Sequence, residues 1–194
     1  MIKITFLPNN GIYLHENKLL MKTITRFKYY LFFSLAFFLT GLSVQAQFTS
    51  AELGVDGLTC SACTRSVEMS LRKLDFVKDV KMNLDNTNGV ITFKPGVDVS
   101  IEKLSKAVVD AGFSVRYMQA TFRADSVIHI SDNYCFAYGD ATYQFIKVTP
   151  TEAKNDIVFK FIGKNFQNNK DFKKWKADLK PVCSGAKKTY YVTL

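Results

Sequence analysis

Between Ala51 and Tyr117 the spacing of apolar residues switches repeatedly between two and about 3.6, and the order of the switches admits few folds. Glu52–Leu58 is a short strand-like run. Cys63–Leu74 carries Val67, Leu71 and Leu74 at i, i+4 and i+7, one face of a helix. Val77–Leu84 alternates, with Val80, Met82 and Leu84 on one face. Asp85–Gly89 is turn-rich and ends in Asn88-Gly89, a hairpin signal; Val90–Lys94 returns with Ile91 and Phe93 inward and closes at Pro95-Gly96. Ser100 stands at a helix cap, although Lys103 occupies the place where a capping box needs an acid. Ile101, Leu104, Val108 and Ala111 form a second helical stripe, Gly112 is its stop, and Phe113–Tyr117 opens a fourth strand. The order β-α-β-β-α-β predicts a ferredoxin-like arrangement, an antiparallel sheet with both helices on one face.

Residues 120–194 follow a different pattern. Thr121–Ile130, Tyr134–Ala137, Thr142–Val148, Asp156–Ile162 and Thr189–Leu194 are strand-like, and Asn168–Leu179 is a helix ended by Pro181. The fold class is α+β: a ferredoxin-like βαββαβ domain over residues 47–119, then a small β-rich module over 120–194 with one helix. A small OB-like barrel is one arrangement those strands allow. No low-complexity linker separates the two parts, and their junction near Met118–Phe122 can be one continuous strand.

The front of the chain bears on where the rest works. From Met21, the basic residues Lys22, Arg26 and Lys28 precede an apolar run from Tyr29 to Val44, and Val44-Gln45-Ala46 supplies small residues at −3 and −1 of a cleavage site. Residues 21–46 are therefore expected to be a signal peptide and Gln47 the mature start. Residues 1–20 fit a misassigned upstream start. The expected location is outside the cytoplasm, in the periplasm or cell envelope, with no stable membrane anchor after cleavage. The formal charge of +9 divides into +4 over residues 1–46, zero over 47–119 and +5 over 120–194. With nearly half of the excess in the signal segment, a nucleic-acid partner is not expected. The lysines around Lys170–Lys180, with Trp175, then mark a solvated helix face.

Gly57-Leu58-Thr59-Cys60-Ser61-Ala62-Cys63 places two thiols three positions apart between the first strand and the first helix. Free N–H groups at a helix start favour thiolate, the form that binds metal or attacks a disulfide. Haem attachment needs a histidine after the second cysteine, and Thr64 stands there. Structural zinc wants four ligands, and Cys135 and Cys183 lie far away with no matching spacing. A thioredoxin-like oxidoreductase also sets CxxC at a helix start, but the β-α-β-β-α-β order supplies no parallel-strand core of that type. Two thiolates suit Cu(I), Hg(II) and Ag(I), which prefer sulfur and accept low coordination numbers. An exposed pair of this kind leaves room for a third thiolate from a partner, so that the ion is passed on by ligand exchange.

The string GLTCSAC in this frame, with DAGFSV closing the second helix, resembles the heavy-metal-associated domains of copper chaperones and copper-transporting ATPases. With a signal peptide in front, it is also similar to the periplasmic mercury-binding proteins. The resemblance covers about Ala51–Tyr117, where Gly57, Thr59, Cys60, Cys63, Val67, Leu71, Leu74, Val80, Gly112 and Phe113 fall on pattern. It implies that Cys60 and Cys63 are the metal ligands, with Thr59 and Phe113 beside them. Leu58 replaces the family's usual Met, and Phe76-Val77 its usual Gly-Val.

The expected function is capture or transfer of one soft metal ion, Cu(I) first and Hg(II) or Ag(I) as alternatives, by a monomer that is not an enzyme. The partner would be a metal donor or acceptor such as a transporter. A thiol-disulfide oxidoreductase using the same pair is the competing reading. Cys135 and Cys183, in an exported β-rich segment, are expected to form a stabilising disulfide. His129, the one imidazole in residues 47–194, would with Cys135 make at most a weak second site.

Overall fold

The computed structural model describes residues 47–183 and 187–194. The signal segment and upstream start expected over residues 1–46 lie outside the described residues. β1 (Gln47–Asp56), α1 (Ser61–Arg72), β2 (Val77–Asn83), β3 (Asn88–Phe93), α2 (Ile101–Asp110) and β4 (Ser114–Ile130) come first. β5 (Cys135–Tyr138), β6 (Ala141–Phe145), β7 (Thr151–Ile162), α3 (Asn169–Trp175) and β8 (Lys188–Thr193) follow. Within the first part the strand order is β2-β3-β1-β4, with β1 antiparallel to both neighbours. Val67 and Leu71 of α1 and Ile101, Leu104 and Val108 of α2 are buried in a core shared with Leu53, Val55, Ile91 and Met118. This is the ferredoxin-like arrangement. No helix among the described residues is long and apolar enough to cross a membrane.

Local differences have local causes. β1 begins at Gln47, five residues ahead of the expected start, because a bulge between Phe48 and Ser50 hides the alternation. The bulge leaves Phe48 opposite Phe122 and Ala51 opposite Ala120, so all four face the core. β2 stops at Asn83, whose Oδ1 accepts the Asn86 N–H at 2.9 Å to start the turn, and Leu84 is exposed rather than inward. Ser100 caps α2 by position only, its side chain making no cap hydrogen bond. α3 is shorter than expected; Asn168 Oδ1 caps it by accepting the Asp171 N–H at 2.9 Å.

The second part continues the same sheet, through the continuous strand that the junction near Met118–Phe122 allows. The expected boundary at 119/120 falls inside β4, a single strand of 17 residues. Met118, Ala120, Phe122 and Ala124 are buried at alternate positions across that boundary, and no turn residue interrupts them. One eight-stranded sheet results, in the order β2-β3-β1-β4-β7-β8-β6-β5. The ladder is open, ending at β2 and β5, so the OB-like barrel is not formed among the described residues. The β6–β8 pair is parallel, a crossover that the strand pattern alone did not reveal.

The open sheet nevertheless rolls up. Four ladder steps separate β4 from β5, roughly 19 Å across a flat sheet. Yet the Phe122 ring lies 5.1 Å from Phe136 and 5.0 Å from Tyr138, centroid to centroid, and Phe48 lies 5.6 Å from Tyr138. β5 has folded back over β1 and β4. Phe159, Tyr143 and Phe145 fill the interior with edge-to-face and tilted contacts.

Gln144, fully buried on β6, ties down the segment before β8. Its Nε2 donates to the Lys180 carbonyl at 2.9 Å, and its Oε1 accepts the Val182 N–H at 3.1 Å. The next residue, Cys183, is joined to Cys135, whose Cα is 5.8 Å away and whose register partner is Gln144. Gln144→Leu keeps the volume but removes these two bonds and a third, which Nε2 donates to Asn133 Oδ1 at 3.3 Å. It should lower unfolding stability by about 1–3 kcal/mol in urea titration.

Glu52, on the face of β1 away from the helices, ties three strands together. Its carboxylate accepts from Tyr117 at 2.6 Å, Asn88 at 2.9 Å and Gln119 at 3.0 Å. The Tyr117 hydroxyl is the main cause of a carboxyl pKa below the ordinary glutamate value; partial burial opposes it, and the two amides reinforce the lowering. A lowered folded pKa means that this contribution is present above the unfolded-state value and disappears as pH falls through the folded one. Glu52→Gln should therefore flatten the acid side of a stability–pH curve, measured by thermal unfolding from neutral pH downward.

Candidate metal centre

β1 hands the chain to α1 through a tight loop. Gly57 takes φ +89°, a conformation that side-chain-bearing residues rarely adopt, and this reverses the strand. Leu58 then turns inward, 4% exposed, and anchors the loop in the core, while Thr59, Cys60, Ser61 and Ala62 remain exposed. Cys60 is the N-cap of α1 with extended backbone. Its Sγ accepts the Cys63 N–H at 3.2 Å, and its carbonyl accepts both the N–H and the hydroxyl of Thr64 at 3.1 Å. Cys63, one turn in, is half-buried against the core.

The second wall comes from the other helix. Gly112, at φ +90°, ends α2, and the Phe113 N–H bonds back to the Val108 carbonyl at 3.1 Å. That turn sets the Phe113 ring beside Gly57, close enough that a Cβ added there would lie 3.5 Å from Phe113 Cδ1. Asp56 and Ser114 are opposite each other where β1 ends and β4 begins, so both loops open at the same end of the sheet. Arg116 approaches Asp56 at 3.8 Å and is held by Thr87 Oγ1 at 2.7 Å.

Cys60 and Cys63 are brought together: their Cα atoms are 5.2 Å apart, and the two sulfurs are joined as a disulfide. Reduced, the pair would present two sulfurs on one exposed turn, with helix N–H groups favouring negative charge on them. Among the described residues no cluster of three or more His, Cys, Asp or Glu side chains forms a ready cage. His129 does not meet Cys135; its Nδ1 faces Glu152 Oε1 at 3.4 Å, and the Cys135 sulfur is bonded to Cys183. The sequence reading passed over Arg116, whose guanidinium braces the turn before β3 by donating to the Asn86 and Thr87 carbonyls, at 3.0 and 3.3 Å, and to Thr87 Oγ1. No local signal marks a strand arginine for that role.

Fold and loop together define a ferredoxin-like module with a CxxC pair at the start of its first helix. A heavy-metal-associated domain profile matches residues 52–114. The mercuric transport protein periplasmic component of Shigella flexneri is 36% identical over 83 residues, covering 43% of this chain and 90% of that relative. The chain belongs to the heavy-metal-associated domain family. Copper-transporting ATPase 1 of Rhizobium meliloti (strain 1021) is 40% identical over 70 residues, which are 36% of this chain. The chain spans only 8% of that ATPase and 5% of its counterpart, copper-transporting ATPase 2, from Rattus norvegicus. Among solved structures, oxidized MerP from Ralstonia metallidurans CH34 is 36% identical, covers 35% of this chain and 96% of its own, and has a TM-score of 0.32.

The loop geometry carries a stability prediction. In Gly57→Ala the new methyl fits against Phe113, but the left-handed φ does not suit it. The variant should lose about 1–2 kcal/mol in denaturant unfolding while keeping the native far-UV spectrum.

Proposed function

We propose that this protein is an exported carrier of one soft metal ion, held as cargo by the Cys60 and Cys63 thiolates in the periplasm or cell envelope. The observation that carries the reading is the placement of Cys60 Sγ at the N-cap of α1, on an exposed turn, with Cys63 one turn behind it. Two sulfurs on an open loop suit Cu(I), which is satisfied by two or three thiolates; Hg(II) and Ag(I) share the preference. The relatives named for copper and for mercury transport lie on the same chemical axis. Thr59 and Phe113 flank the pair, and Phe113 limits approach on one side of the loop. Loading requires the dithiol, so a reductant must first open the Cys60–Cys63 disulfide by delivering two electrons and two protons. The open third position then lets a donor or acceptor thiolate, such as one on a metal transporter, displace one cysteine at a time. On this reading the protein moves an ion and performs no catalysis.

The disulfide also favours a second reading, a thiol-disulfide oxidoreductase working through the same cysteines. The two separate in one experiment. Pre-reduced protein is titrated with Cu(I) against a colorimetric chelator, beside Cys60→Ser/Cys63→Ser. The carrier reading expects one tight equivalent that disappears in the double variant. Equal, weak competition by both proteins would defeat it. A trapped mixed disulfide in a single Cys→Ser variant would then support the redox reading.

A further inference from the structure

A cleft of about 720 Å³ runs along the outer side of α2 and is walled by both halves of the chain. One wall is α2 itself, through Lys103, Lys106 and Asp110; the other is formed by residues 164–169, which lead into α3. Buried Val115 of β4, and a hydrogen bond from buried Ser105 Oγ to the Asn165 carbonyl, close the floor. At one end stand Asp56 and Ser114, the neighbours in sequence of Gly57 and Phe113, so the cleft reaches the foot of the cysteine loop. From Lys103 to Asp110 the α2 wall is roughly 10 Å long, the span of about three extended residues. The loop wall lies outside residues 52–114, so it is supplied by the second half of the chain.

The polar groups of this cleft are unevenly partnered. Its three carboxylates each have a cation: Asp110 pairs with Lys106 at 2.6 Å, Glu102 with Lys188 at 2.8 Å, and Asp56 with Arg116 at 3.8 Å. Lys103 and Lys164, one on each wall and both exposed, pair with no acid among the described residues. Outside the described residues the chain holds one further acid, Glu16. Gln167, on the loop wall, contributes the one buried side-chain polar atom without a hydrogen bond among the described residues, its Oε1. A buried acceptor without a donor costs free energy, and turning this amide into the cleft would sacrifice no bond of Oε1.

We propose that this cleft takes an extended, acidic peptide segment of the protein that exchanges metal with Cys60, an inference that rests on the carrier reading above. Carboxylates of the segment pair with Lys103 and Lys164 from the two walls. A backbone N–H donates to Gln167 Oε1 once that amide turns, and the segment leaves past Asp56 toward the cysteine loop. The residual charge selects acids, because every carboxylate of the cleft is already matched by a cation and two ammonium groups are not. Charge-assisted bonds to a carboxylate are the stronger kind, and the amide reads the backbone between them. Holding the segment beside the loop raises the effective concentration of a thiolate attached to it, which favours displacement of one cysteine from the ion.

The test uses the full chain with both disulfides intact and no metal, so that its outcome does not depend on loading. At about 0.15 M salt, which screens general attraction, a fluorescein-labelled hexaglutamate peptide should bind about tenfold more tightly than hexaglutamine, read by fluorescence anisotropy. Lys103→Gln with Lys164→Gln should weaken that binding by more than about fivefold. Lys173→Gln with Lys176→Gln, an equal loss of charge outside the cleft, should change it by less than about twofold. Gln167→Met should raise the denaturation midpoint by removing the unpaired oxygen, and yet weaken the peptide; a purely structural glutamine would do only the first. A last arm joins the two readings. Hexaglutamate carrying one cysteine should draw Cu(I) from the loaded chain more readily than hexaglutamine carrying one, and the advantage should vanish in the Lys103→Gln/Lys164→Gln variant. Hexaglutamate bound no better than hexaglutamine, or weakened equally by the two lysine pairs, would overturn the cleft. Binding without an advantage in Cu(I) transfer would overturn the partner assigned to it. A chain that binds no Cu(I) would defeat the carrier reading and with it that partner, while the peptide binding of the metal-free chain stands or falls by itself.

Discussion

The antiparallel ladder between β1 and β4 is the contact on which the other layers depend. It runs from Gln47 opposite Arg123 to Asp56 opposite Ser114, with two bulges that keep the large side chains on one face. At one end of that face Leu53, Val55 and Met118 receive the two helices. At the other, Phe48 and Phe122 receive the rings of β5, β6 and β7. Both cores are thus parts of one apolar layer laid on the same two strands. Burial acts through area removed from water, so loss of this ladder would expose both halves together.

The same ladder positions the cysteine loop. β1 ends and β4 begins at one end of the sheet, and the turn leaving β1 and the turn entering β4 are each made possible by a glycine at positive φ, Gly57 and Gly112. Leu58 pins the first loop to the core, which leaves Cys60 at the helix start with its sulfur in solvent. Rigid anchoring beneath and exposure above suit the proposed ligand exchange, in which the loop would hold its shape while a second protein reached the sulfur. The opposing demands are met within four residues.

The second half is attached as continuation of the sheet, so no hinge is visible between it and the cysteine-bearing half. Ser105 Oγ donates to the Asn165 carbonyl, the Asn168 N–H to the Arg116 carbonyl, and Lys188 pairs with Glu102. These contacts bind the loop before α3, and the start of β8, to α2 and β4. The cysteine-bearing half is thus braced from behind.

The amino-acid sequence by itself determined the first six elements and the CxxC pair at the start of the first helix. Their signals are local: period, Asn88-Gly89, Gly112, and thiols at a helix start act over a few residues and need no distant partner. The Phe48 bulge hid the first half of β1, since one extra residue reverses alternation until a register with β4 is known. The tertiary structure alone decided that β6 and β8 pair in parallel and that β5 rolls back onto Phe122. Those outcomes depend on which strand lies beside which, and strand neighbours are chosen by packing among residues far apart in the chain. Periodicity identifies a strand; only the assembled core assigns its neighbours.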